Sequence, residues 1–137
     1  MAIYPFEIHT PYRMFYTNSV ESIIVRLVDG DIGVYANHAF FIAPVCASII
    51  KIKDKEGKEL FAFISEGILE VKGHKTVLMV DAAEWPSEIN KERAVSAKKK
   101  AEEKLASSVL KFELNNAKIS LKHAELRLKA AELQNTK

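Results

Sequence analysis

An antiparallel β-sandwich over residues 1–86, followed by a C-terminal α-helical hairpin over residues 87–137, is the architecture the sequence predicts. Three observations predict it. All five glycines and all four prolines lie at or before Pro86, and none after. Up to that point, short runs rich in β-branched and aromatic residues alternate with turn residues. Beyond it, apolar residues recur every three or four positions, the period of a helix face.

The strands come in order. "YPFEIHT" alternates from Tyr4 and stops before Pro11, and "VESIIVRLV" runs from Val20 to Val28 into "DGDIG". "ASIIKIK" and "ELFAFI" flank "DKEG", a hairpin loop in which Gly57 supplies a positive φ. "GILEV" and "TVLMV" flank "KGHK", a second hairpin around Gly73. No helical period separates these strands, so the crossover helices of a parallel α/β fold are missing.

After Pro86, either Ser87 or Asn90 can cap the first helix, because each offers an oxygen to an orphan backbone N–H. Ala94, Ala97, Ala101 and Leu105 then form one apolar stripe. "LASSV" interrupts it, with Ser107 or Ser108 as the next cap. Leu110, Leu114, Ala117, Leu121, Ala124, Leu128 and Ala131 form a second stripe, the seam of a helix lying lengthwise on a partner. Ile119, Leu126 and Leu133 fall off that seam, so a second face is sticky. Two helices, one of them faced with alanine, bury too little to stand alone, and the pair must dock on something.

At 137 residues the chain supports one core and an appendage. No run approaches a membrane span of roughly 18 apolar residues, and the first twenty residues resemble neither a secretory signal nor a transit peptide. The single Cys46 sits in "APVCASII", which reads as a buried thiol in a reducing compartment. The net charge of +2 hides an asymmetry: residues 1–86 carry 8 basic and 11 acidic side chains, residues 87–137 carry 12 and 7. A basic tail on an acidic body prefers an acidic partner.

No residue pattern supports catalysis. "GDIG" does not continue into a phosphate-binding loop, and no nucleophile elbow is present. His9, His38 and His74 are too widely spaced for a metal site. Glu66 and Glu70 straddle a turn and read as surface charges.

Four stretches resemble the ε subunit of bacterial F-type ATP synthases: "TPYRMFY", "DGDIGVYANHAFF", "SEGILEV" and "DAAEWPSEINKERA", continued by "SLKHAELRLKAAEL". The resemblance implies an accessory rotor subunit of the central stalk, not an enzyme in itself. Its expected partners are the γ subunit, the c-subunit ring, and the α and β subunits. It also implies a place on the cytoplasmic side of the cell membrane, peripheral to the lipid. By resemblance Asp31 and His38 contact the c-ring or γ; from the residues alone they read as a turn residue and a half-buried histidine. The hairpin would be the regulator. Opened into a rod of about 45 residues it spans roughly 70 Å. Its cationic face, Lys98, Lys99, Lys104, Lys111, Lys118 and Lys122, would then meet an acidic loop and oppose ATP hydrolysis.

Some bacterial members of that family bind ATP on the folded hairpin through Ile/Leu-Asp-x-x-Arg-Ala, an upstream Glu and further arginines. Here Ile89, Arg93 and Ala94 match, with Glu84 upstream and Arg127 downstream. Asn90 replaces the Asp, Lys100 an Arg, and His123 another. Asn90 caps a helix as well as Asp does but cannot pair ionically with Arg93. Lys100 lacks the bidentate fork. The expectation is therefore a hinge rather than a nucleotide sensor, with no cofactor. The rival readings are a β-sandwich adaptor with a helical arm and a basic nucleic-acid-binding module. The second is poorly served, since Phe112 is the one aromatic residue after Trp85.

Overall fold

The computed structural model describes residues 2–133, and the last residues of region 87–137 lie outside that range. Nine strands form among the described residues. They are β1 (Tyr4–His9), β2 (Met14–Leu27), β3 (Gly30–Tyr35), β4 (Phe41–Val45), β5 (Ser48–Asp54), β6 (Glu59–Ile64), β7 (Gly67–Val71), β8 (Thr76–Val80) and β9 (Ala83–Glu84). Their order is β4-β7-β8-β1-β2-β5-β6-β9, with β3 also on β2. The long β2 serves both layers of the sandwich. Its first half pairs with β1, and its second half pairs with β3 on the same edge and β5 on the other.

A bulge makes this possible. The β2–β5 register shifts between Val20 and Ser22, leaving Glu21 as the extra residue. One extra residue reverses which side chains face inward. Val20 is buried before the bulge, and Ile23 and Val25 after it. The core they join includes Phe6, Ile8, Ile50, Ile52, Ile64, Leu69 and Leu78.

Both expected hairpins form, β5–β6 and β7–β8, and Gly57 has φ +83°. One pairing departs from an all-antiparallel sandwich: β1 runs parallel to β8, Phe6 opposite Thr76 and Ile8 opposite Leu78. The rule that parallel neighbours need a crossover is met here by the whole intervening sheet. Gly67 is required by close approach, since a Cβ there would lie 1.9 Å from the Met79 carbonyl oxygen. Cys46 is half-buried rather than buried, because it lies in the short link between β4 and β5.

A short 3-10 turn, Pro86–Glu88, leads into α1 (Lys91–Ser107) and α2 (Lys111–Ala131). Asn90 is the cap of α1: its Oδ1 accepts the Arg93 N–H at 3.0 Å, while Ser87 lies inside the turn. The expected serine cap of α2 is absent. Leu110 occupies that position without a side-chain hydrogen bond. Ser108 already closes α1, its N–H bonded to the Lys104 carbonyl, and its hydroxyl donates to Glu113 at 2.5 Å. The chain uses Val109 and Leu110 to reverse direction.

Between the helices Ala94 and Ala101 of α1, and Ala117 and Ala124 of α2, are buried. Small side chains let the two helices approach closely. Ala97 and Leu110, included in the stripes, are exposed. The second sticky face is real at Leu126, which packs toward the sandwich, whereas Ile119 stays half exposed.

Candidate functional site

The hairpin lands on one outward row of the sandwich. Along β6, Ala62 and Ile64 face the core, so Phe63 faces out. Phe63 stands opposite Ile49 on β5 and Glu84 on β9. Phe63, Ile89 and Ala130 form a small buried cluster, with Ile49, Ala82, Leu126 and Ala131 packed on it. This cluster is separate from the sandwich core.

Two polar clasps flank it. His123 Nε2 lies 2.8 Å from Glu66 Oε1, and its ring meets Phe63 edge-on at 5.8 Å. Burial opposes ionisation of Glu66, but its own backbone amide and His123 outweigh it, and the carboxyl sits below the ordinary carboxylate range. One turn along α2, Arg127 donates to Glu84 at 2.5 Å and lays its guanidinium over Phe63 at 4.6 Å.

The 3-10 turn has its own clamp. Arg13 reaches Glu88 with two parallel bonds, 2.9 and 3.0 Å, and Glu88 also accepts the Trp85 N–H at 3.0 Å. The Arg13 bond, the main cause, and the Trp85 amide hold the Glu88 carboxyl below its usual range against the opposing effect of burial. Trp85 stacks on Phe15 at 4.5 Å, and the Arg13 guanidinium lies over the Phe15 ring at 5.0 Å. Neither Arg13 nor Glu88 stands out in the sequence.

Between the turn and the hairpin lies a cavity of about 380 Å³. Of the residues matched to a nucleotide pattern, Glu84, Asn90, Arg93, Ala94 and Arg127 line it. Ile89 lies in the buried cluster, and the other two are elsewhere. Lys100 lines a separate groove between α1 and α2, and His123 is turned to Glu66. Two carboxylates, Glu84 and Glu88, and two guanidinium groups, Arg93 and Arg127, border the cavity, so its lining carries no net charge.

The remaining residues singled out by sequence lie apart from this cavity. Asp31, on β3, pairs with Arg26. His38 donates from Nδ1 to the Ala39 carbonyl at 2.8 Å, and its ring meets Phe41 at 5.9 Å. Lys98, Lys99, Lys104, Lys111, Lys118 and Lys122 lie along the hairpin, and among the described residues none forms an ion pair. Among the described residues no cluster of three or more His, Cys, Asp or Glu is placed to hold a metal.

Similarity to known proteins accounts for this arrangement. A family model described as the β-sandwich domain of the ATP synthase delta/epsilon chain matches residues 4–86. A second, the long α-helix domain of the same chain, matches residues 87–132. The ATP synthase epsilon chain of Caldicellulosiruptor bescii is 43% identical over 105 residues, covering 77% of this chain and 76% of that one. The epsilon chain of Caldicellulosiruptor saccharolyticus is 45% identical over the same length, with the same coverage of each chain. A chain in the structure of the Euglena gracilis mitochondrial ATP synthase (OSCP, F1 and c-ring) superimposes with TM-score 0.81 at 22% identity. The match covers 96% of this chain and 82% of that one, and shows the shared fold. With sandwich and hairpin matched in sequence by their family models, the chain belongs to the delta/epsilon family of ATP synthase, as an epsilon chain: an accessory, non-catalytic subunit.

Proposed function

We propose that residues 1–86 grip the rotor while residues 87–137 act as a detachable brake on ATP hydrolysis. One observation carries the reading: the hairpin meets the sandwich through a separate cluster of Phe63, Ile89 and Ala130, closed by the Glu66–His123 and Glu84–Arg127 clasps. A cluster that small costs little to open, because exposed or half-exposed ion pairs are each worth about 0–1 kcal/mol. Undocking leaves the main core intact.

In this reading the sandwich binds the γ subunit and rests on the c-ring, with Asp31 and His38 near that contact. The opened hairpin reaches toward the α and β subunits, and its lysines engage acidic side chains there. The subunit thereby links ion flow through the ring to ATP synthesis and restrains the reverse reaction. It acts at the cytoplasmic face of the bacterial membrane, and no described helix is long and apolar enough to cross it. Removing residues 88–137 should raise ATPase activity of the assembled enzyme and leave assembly unchanged. Unaltered hydrolysis after that deletion sinks the brake.

The cavity at the turn serves as a structural clamp rather than a nucleotide sensor. Its two cations face two carboxylates, and Arg127 is already engaged with Glu84. Calorimetric titration of the full chain with ATP should show no binding well below millimolar. Tight binding lost on Arg93→Gln would reverse this assignment.

A further inference from the structure

The chain passes from one core to the other within a single residue. Trp85 packs on the main core, stacked on Phe15 at 4.5 Å and edge-on to Tyr16 at 5.9 Å. Glu88 is tied to the link between β1 and β2 by the paired bonds from Arg13. The next residue, Ile89, belongs to the small cluster under the hairpin. Asn90 belongs to α1, since its Oδ1 accepts the Arg93 N–H and its carbonyl accepts the Ala94 N–H at 3.0 Å.

The two sides of that step are held unequally. Upstream, the Glu88 carboxylate accepts two N–H groups of one guanidinium and the Trp85 N–H, and the Glu88 N–H donates to the Trp85 carbonyl at 2.9 Å. A forked pair of this kind fixes orientation as well as distance. The same Arg13 lies over Phe15, a residue of the main core, and reaches the Ala83 carbonyl at 3.4 Å. None of these groups belongs to the hairpin. Downstream, the hairpin is held by the small cluster and by two clasps that α2 supplies. Between the two sides, Ile89 (φ −77°, ψ 125°) and Asn90 (φ −85°, ψ 103°) have extended backbone.

We propose that the hairpin pivots at Ile89–Asn90 while Pro86–Glu88 stays on the sandwich, and that Arg13 is the positioning residue that keeps it there. Rotation about the bonds joining Ile89 to Asn90 breaks no helical hydrogen bond and leaves the Arg13–Glu88 pair intact. The moving arm therefore begins at Asn90. Each residue of extended chain spans about 3.3–3.6 Å, so an arm freed from Pro86 onward would gain roughly 10 Å of slack at its root. Arg13 removes that slack and fixes where the arm starts. The inference rests on the hairpin being detachable and narrows which residues detach.

Residue-resolved hydrogen exchange of the full chain tests this. Opening of the hairpin alone exposes the amides of α1 and α2. Trp85 and Glu88 should instead exchange with the strands, about tenfold or more slowly than amides 94–101. Arg13→Gln should bring Trp85 and Glu88 up to the hairpin rate while strand amides such as Ile50 and Leu78 keep theirs. Arg13→Lys, a charge without the fork, should restore the protection only in part. Fast exchange of Trp85 and Glu88 together with the helices, in the unaltered chain, overturns the pivot and leaves the detachable hairpin standing. Uniform exchange across strands, turn and helices overturns both. An Arg13→Gln effect that is absent, or shared by the strands, overturns the role of Arg13.

Discussion

At position 90 a single oxygen decides how the first helix starts. Asn90 supplies it to Arg93, so Asn90→Ala should cost about 1 kcal/mol, whereas Asn90→Asp should be nearly neutral. Thermal unfolding followed by helical circular dichroism checks both. Gly67 tests the sheet in the same way. A Cβ there meets the Met79 backbone at 1.9 Å, and backbone cannot step aside without spoiling the β7–β8 pairing. Gly67→Ala should lower stability by about 2 kcal/mol or more in urea denaturation. Positive φ at Gly57 and a capping oxygen near residue 90 are legible in the sequence because each is a local requirement. Arg13 and Glu88 are not: they are 75 residues apart, and nothing local in "TPYR" announces a carboxylate partner.

The helix α2 is held by few side chains, and each can be removed singly. Leu126→Ala should loosen docking by about 1 kcal/mol while leaving the strands unaffected, since the half-buried Leu126 packs on the small cluster and not on the main core. A donor–acceptor dye pair on sandwich and hairpin reads this directly. Acid should do the same. The Glu66 and Glu88 carboxyls are held below their ordinary range in the folded chain, so each contributes stability that is complete above the unfolded value. That stability is lost as pH falls through the lowered folded value. Undocking should therefore set in as pH falls through the usual carboxylate range and be complete only below it, and Glu66→Gln should flatten part of the response. A dye signal that is level through that range contradicts the clasp. Periodicity makes the alanine faces of both helices readable. It does not reveal where α2 lands, because the alternation in "FAFI" defines two faces of β6 without saying which one looks inward. Nor does it mark Glu66, since a carboxylate beside a turn is usually only solvated.

As a whole the molecule has two cores of unequal size on opposite sides of β5 and β6. A chain ending at residue 86 should therefore unfold cooperatively by itself, with its strand signal intact. The isolated segment from residue 87 onward should be largely unstructured, because one of its two apolar stripes is mostly alanine and the pair has too little to bury. Loss of the sandwich on truncation would show that the hairpin is part of the main core after all. The order of events in synthesis is set by the parallel contact of the first strand with the eighth. Phe6 and Ile8 emerge early, yet one edge of their strand has no neighbour until Thr76–Val80 exists. Distant pairings of this kind fold slowly, and until they close they leave a sticky edge open. A ribosome has therefore translated through the eighth strand before the first is fully enclosed, and the hairpin follows after that.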